Sequence, residues 1–271
     1  MRGIAWLALP AMAYCAVFFA IPLGLLLVES LRGPAGWTLA GYSAFFGSTQ
    51  AWAILGRTLR LATLTTLICL IIGYPAAFAL AWARGALQSL LVAALLLPLS
   101  LSVIVKAFGW TVLLRANGVV NNGLQALGLT SAPVRLLFTE TGLLIGIVNI
   151  FLPFMMLPVF ASVRQLDPRL SDAAATLGGG PTYTFMRVVL PLTVPGVVAG
   201  VTLVFSLSVA AYVIPTLLMG DAYQTLPTTI ATAFLYLQDP QRGAVAGVVL
   251  LAVSLLVVVA SATVGRRATT A

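Results

Sequence analysis

Two apolar runs, residues 142–163 and 192–219, bracket a polar stretch at 164–191 that reads RQLDPRLSDAAATLGGGPTYTFMRVVLP. Each run has room for the roughly 20 residues that the hydrocarbon core of a bilayer demands of a helix. Inside hydrocarbon every backbone N–H and C=O needs an internal partner, so such runs cross as helices, and the stretch between them emerges on one side of a membrane. The rest of the chain agrees with that reading: 61% of residues are hydrophobic and 7% charged, against about 25% charged in soluble domains. No polar stretch is long enough to build a soluble core, so the prediction is an all-α membrane protein.

Four further runs, at 4–28, 59–83, 90–114 and 244–264, bring the expected total to six transmembrane helices with both termini on one side. The first follows Arg2, but its length exceeds the roughly 7–15 residues of a signal-peptide core, and a retained helix bent at Pro10 and Pro22 is expected. Residues 29–56 read as a connection whose Trp37, Tyr42, Phe45, Phe46 and Trp52 suit headgroup depth. The arginines do not orient the bundle, because they divide almost equally between the two faces of this topology.

Within the polar stretch, Asp167-Pro168 reads as a helix start, since Asp caps free N–H groups and Pro at the first helical position forfeits no hydrogen bond. That helix is expected to run to about Leu177 and to end at Gly178, Gly179 and Gly180, with Pro181 opening a second helix. Ala173, Ala174 and Ala175 leave one face nearly bare, the shape of a plug that another protein's backbone can approach closely.

These residues resemble the cytoplasmic "EAA" loop of the inner-membrane permease subunits of binding-protein-dependent ABC importers. The pattern there is Glu-Ala-Ala, three residues, Gly, nine residues, Ile, one residue, Leu-Pro. Here Asp172, Ala173 and Ala174 precede Gly178, and Val188, Leu190 and Pro191 follow at the matching spacing, with Asp for Glu and Val for Ile. The Gly73-Tyr74-Pro75-Ala76 segment, the 105–110 segment, Asn117-Gly118-Val119-Val120-Asn121, Leu152-Pro153-Phe154 and the 205–215 segment also look like the spermidine/putrescine-type branch of that family.

The resemblance implies a type I ABC importer permease fold with a coupling-helix loop, in the bacterial inner membrane, with both termini cytoplasmic. It divides the chain into an N-terminal helix and extracytoplasmic segment at 1–57, a core permease domain at 58–265 with its coupling loop at 164–191, and a cytoplasmic tail at 266–271. The implied partners are a second permease subunit, as a heterodimer ahead of a homodimer, two ATPase subunits, a periplasmic or lipid-anchored solute-binding protein, and membrane lipid. ATP and Mg belong to the ATPase partner and no cofactor to this chain. The implied solute is small and polar, with a polyamine such as spermidine or putrescine ahead of an anionic or zwitterionic one.

Candidate pathway residues come from polar side chains within spans. Lys106, the one lysine, lies inside the third apolar run, where a charge normally faces a bundle interior, a watery cavity or a partner. It reads equally as a gate or as a snorkelling side chain that aids packing. Tyr74, Trp110, Asn149 and Tyr212 could line a passage or simply bridge helices. Glu29, Glu140, Asp221 and Asp239 fall on the face opposite the loop, as solvated charges or contacts for a delivering protein.

Other classes fit poorly. The chain has no His, and Cys15 and Cys69 lie in apolar runs, which removes zinc and histidine-based catalysis. A Gly-x4-Gly-Lys-Ser/Thr phosphate loop is missing, so this chain is expected to be neither an ATPase nor another enzyme. The +8 net charge carries no aromatic-interleaved basic stripe for nucleic acid. An ATP-independent channel or secondary transporter is the remaining alternative, disfavoured because no carboxylate lies mid-span.

Overall fold

The computed structural model describes residues 5–33, 36–220 and 223–270. In chain order it holds α1 (Ala5–Ser30), a two-residue hairpin of β1 (Arg32–Gly33) and β2 (Gly36–Trp37), α2 (Ala40–Gly47), α3 (Thr49–Trp82), α4 (Gly85–Leu96) with a 3-10 turn (Leu97–Ser100), and α5 (Val103–Leu113). There follow α6 (Val119–Ala126), α7 (Glu140–Arg164), α8 (Pro168–Thr176), α9 (Pro181–Thr184), a π turn (Phe185–Val189), α10 (Leu190–Val209), α11 (Val213–Met219), α12 (Leu226–Leu235) and α13 (Pro240–Thr270).

The described residues include 5 helices long and apolar enough to cross a membrane, or up to 6 if one bent pair counts as a span. The single span expected over 90–114 is a bent pair: Gly85–Ser100 and Val103–Leu113 meet at 101°. Pro98 opens the 3-10 turn, Leu101 is extended, and Ser102 starts a new helix by accepting the Ile104 N–H on its Oγ at 3.3 Å. The run expected at 192–219 is likewise interrupted. Its helix ends at Val209, and α11 begins anew at Val213. Thr49 to Gly56, expected as connection, is instead the start of α3.

The chain forms two compact units. In the larger, Arg57–Thr225 with Ser254–Ala271, α7 is the central post, and Leu143, Ile147, Ile150 and Met155 on it are fully buried. Thr139 caps it by accepting the Gly142 N–H at 3.2 Å, and Glu140 in the first turn and Arg164 in the last complement the helix dipole. α10 packs along α7 through Gly196 and Gly200, and a Cβ on Gly200 would stand 2.8 Å from Met155 Sδ. Small residues four apart let two backbones approach where lipid supplies no hydrophobic drive. Met155 also fills the space beside Gly73 of α3, whose Cβ would meet Met155 Cγ at 3.0 Å.

The smaller unit holds Met1–Gly56 and Leu226–Val253. There Ser30 bonds Tyr42 hydroxyl to hydroxyl at 2.8 Å, and Gly247 of α13 lies against Leu26 of α1.

Candidate functional site

The 164–191 stretch folds much as its residues dictate. Asp167 accepts the Arg169 N–H on Oδ1 at 2.9 Å and opens α8. At the far end the Gly179 N–H reaches back to the Ala174 carbonyl at 2.9 Å, while Gly178 sits at φ +80°. This is the six-to-one bond of a Schellman turn, with glycine in the left-handed position that a Cβ disfavours. Gly180 is extended, and Pro181 starts α9. The outcome is helix, sharp turn and helix, with α8 packed back on α9 and the π turn.

Of the expected coupling residues, Ala173 is exposed and Ala174 half-buried. Asp172 lies in the α8 backbone, and its side chain falls outside the described residues. Val188, Leu190 and Pro191 mark the wide turn into α10. The Leu190 N–H bonds the Phe185 carbonyl five residues back, and Pro191, which has no N–H, follows directly. Proline clashes with the carbonyl four residues before it, so the wider turn is where it can be accommodated.

Sequence reasoning missed the most exposed large apolar side chain among the described residues of this loop. Leu177 is 90% exposed, and Leu170, Tyr183 and Met186 are exposed beside it in sequence. A leucine directly ahead of three glycines in a polar segment was the available signal.

The five intramembrane candidates do not form one group. Trp110 of α5 donates its indole N–H to Asn149 Oδ1 of α7 at 3.2 Å. Asn149 lies nine residues into α7, about 14 Å along its axis. Lys106 stands one helical turn before Trp110, half-buried, with no ion pair among the described residues. Tyr212 falls at the interruption between α10 and α11, with its side chain exposed and its carbonyl accepting the Thr216 N–H at 3.2 Å. Tyr74 belongs elsewhere: its hydroxyl bonds Thr193 at 3.0 Å, and its ring packs on Phe78 and Phe185.

A further cluster joins α3, α7 and the segment after α11. Arg60 pairs with Glu140 at 3.1 Å, Tyr223 donates its hydroxyl to Glu140 at 3.4 Å, and Arg57 lies over the Tyr223 ring at 4.9 Å. Burial first, then the Glu140 carboxylate, push the Tyr223 hydroxyl up to about 12, while Arg57 and Arg60 pull the other way. Glu140 is thus tied into the structure. Asp239 accepts the Arg242 N–H at 3.0 Å and starts α13, and Asp221 lies outside the described residues.

A family model described as "Binding-protein-dependent transport system inner membrane component" matches residues 70–269. The chain belongs to that family. The spermidine/putrescine transport system permease protein PotB of Haemophilus influenzae is 35% identical over 198 residues, which are 73% of this chain and 69% of that protein. PotB of Escherichia coli K12 is 34% identical over 197 residues, covering 73% and 72%. Among solved structures, the permease resembles a chain of a bacterial ABC transporter that imports the acidic polysaccharide alginate. There the TM-score is 0.82, with 18% identity and 97% and 95% of the two chains covered. A methionine ABC transporter, MetNI, follows at a TM-score of 0.57, with 17% identity and 78% and 93% covered.

The permease is therefore a multi-pass protein of the inner membrane and a non-catalytic transmembrane subunit of a binding-protein-dependent ABC importer. Its family binds no cofactor, and ATP is used by the ATPase partner.

Proposed function

We propose that this permease carries a polyamine such as spermidine or putrescine across the inner membrane, driven through the α8–turn–α9 loop by a separate ATPase. The observation that carries the coupling role is the loop itself: a glycine-turned pair of short helices presenting Leu177 at 90% exposure beside alanines. The polyamine assignment is supported by the PotB relatives.

In this account the loop faces the cytoplasm, as do both termini, and a second, different permease chain completes the pathway. A binding protein delivers solute from the opposite side. When two ATPase subunits close on ATP, the seated loops follow as rigid bodies. The motion passes through the π turn into α10, and from there along the Gly196/Gly200 contact into α7, the helix that carries Asn149. Bistable packing of such helices turns a small displacement at the loop into alternation of access.

A second reading, the same role for an anionic or zwitterionic solute, is favoured by Lys106, a cation near Trp110 without a carboxylate partner among the described residues. A relative named molybdenum transport system permease protein ModB, from Azotobacter vinelandii, is 32% identical over 182 residues. Uptake of labelled spermidine by proteoliposomes holding the permease with its partner subunits and binding protein separates the two. The proposal expects ATP-dependent uptake competed by putrescine and indifferent to oxyanions. Competition by oxyanions alone would replace it with the second reading.

A further inference from the structure

Among the described residues, the larger unit buries its apolar side chains in two separate cores. The same three helices thread both, one after the other. On α3 the first core reaches Leu70 and the second begins at Tyr74. On α7 the change falls between Met155 and Met156, and on α10 between Val201 and Val197. The second core lies on the side of the 164–191 loop and takes in its base, since Leu166, Phe185 and Val189 pack against the buried Phe78, Val159 and Val163. A close-packed interior moves as a block and does not deform smoothly, so two cores in series make two blocks with a border between them.

The border is built to bend. Pro75, Pro158 and Pro195 lie inside α3, α7 and α10, each within two residues of the point where its helix enters the second core. None has an N–H to give the carbonyl four residues before it, so the helix ladder loses a rung at Ile71, Phe154 and Pro191. Helices kink at such breaks. The contacts across the border are smooth. Met155 lies between two glycines: a Cβ on Gly73 of α3 would stand 3.0 Å from its Cγ, and one on Gly200 of α10 would stand 2.8 Å from its Sδ. Its unbranched side chain adapts its shape as its neighbours shift, and the glycines bring no side chains to interlock with it.

The loop-side block, by contrast, is fastened within itself across α3 and α10. The Thr193 O–H is committed to the Leu190 carbonyl at 3.0 Å, so the Tyr74 hydroxyl donates to Thr193 Oγ, also at 3.0 Å. The Tyr74 and Phe78 rings stand 6.3 and 5.9 Å from the ring of Phe185 in the π turn. We propose that this block moves as one piece against the rest of the bundle, bending at a seam formed by 73–75 of α3, 155–158 of α7 and 195–200 of α10. Resting on the proposed ATPase drive through the loop, the seam is the place inside the permease where that drive becomes a change of access.

The test uses the permease with its partner subunits and binding protein in proteoliposomes, in a Cys15→Ser background. Spin labels at Ala79→Cys and Ala161→Cys, exposed positions on α3 and α7 within the loop-side block, are expected to keep one separation with and without trapped ATP. Labels at Ala79→Cys and Leu203→Cys, exposed positions that straddle the seam, are expected to shift on ATP. Both separations fixed while uptake needs ATP would overturn the seam and leave the driven loop standing. A shift within the first pair overturns the block. Uptake indifferent to ATP removes the drive, and the seam with it. Pro75→Ala, Pro158→Ala and Pro195→Ala each return an N–H to the ladder and are expected to lower ATP-driven uptake about tenfold, with the thermal midpoint unchanged or raised. Unchanged uptake overturns the proposal. So does a midpoint that falls together with uptake, which makes the prolines fixed bends required for packing.

Discussion

Gly178 offers the sharpest separation of shape from bulk in the loop proposed to couple to the ATPase. Its φ of +80° is left-handed, and a Cβ built there meets nothing within 4 Å. A side chain at 178 therefore has space, and its cost is conformational. Holding an L-residue in this region costs about 1–2 kcal/mol, a shift of about 5–30-fold against the turn. Asn escapes much of that cost because its short amide supports the left-handed conformation, whereas a β-branched residue is an outlier there. ATP-driven uptake in proteoliposomes should consequently fall in the order Gly, Asn, Ala, Val. Membrane content should stay equal throughout, since the turn lies outside the spans. An order that follows side-chain volume, with Ala above Asn, would refute the reasoning, as would wild-type uptake by Gly178→Val.

Three other perturbations follow from packing and charge. Gly200→Ala places a methyl 2.8 Å from Met155 Sδ and 3.0 Å from its carbonyl oxygen. The overpacking should cost about 1–3 kcal/mol, read as a lower thermal midpoint in detergent, and an unchanged midpoint would contradict the tight α7–α10 approach. Asn121 is fully buried and bonds the Arg115 and Val134 carbonyls at 3.0 Å each and the Val134 N–H at 2.8 Å. Asn121→Leu strands these groups at about 3 kcal/mol and should expose the 115–134 segment to proteolysis. For Tyr223, raised to about 12 in the fold from about 10 unfolded, the folded state holds its proton longer. Its contribution is intact below pH about 10 and declines between about 10 and 12. Thermal midpoints against pH should show that slope in the wild type and lose it in Tyr223→Phe.

The loop was legible in the sequence because each of its turns is decided locally. Asp167 caps, Gly178 takes the left-handed position and Pro181 restarts, whatever surrounds them. The spans were legible for the opposite reason, since hydrocarbon selects for composition and length alone. Composition alone sets the length of the 90–114 run and not its course: apolar residues continue through Leu97, Pro98 and Leu101 while the backbone turns by 101°. Polar and aromatic composition at 49–56 disguised the first turns of α3, which are helical ahead of the apolar run. The Trp110–Asn149 bond, and the placement of Tyr74 among Thr193, Phe78 and Phe185, join residues dozens of positions apart and depend on how helices pack. No local pattern announces them.

The most direct test labels the loop tip. Cys69 is buried and Cys15 can be replaced by Ser, so Leu177→Cys supplies a single exposed thiol. A membrane-impermeant maleimide should modify it in inverted vesicles stripped of the ATPase. Modification should fail in sealed right-side-out vesicles, and restoring the ATPase should protect the thiol. Labelling from the outside, or labelling indifferent to the ATPase, would contradict the claim that an external motor grips this permease at α8 and its glycine turn.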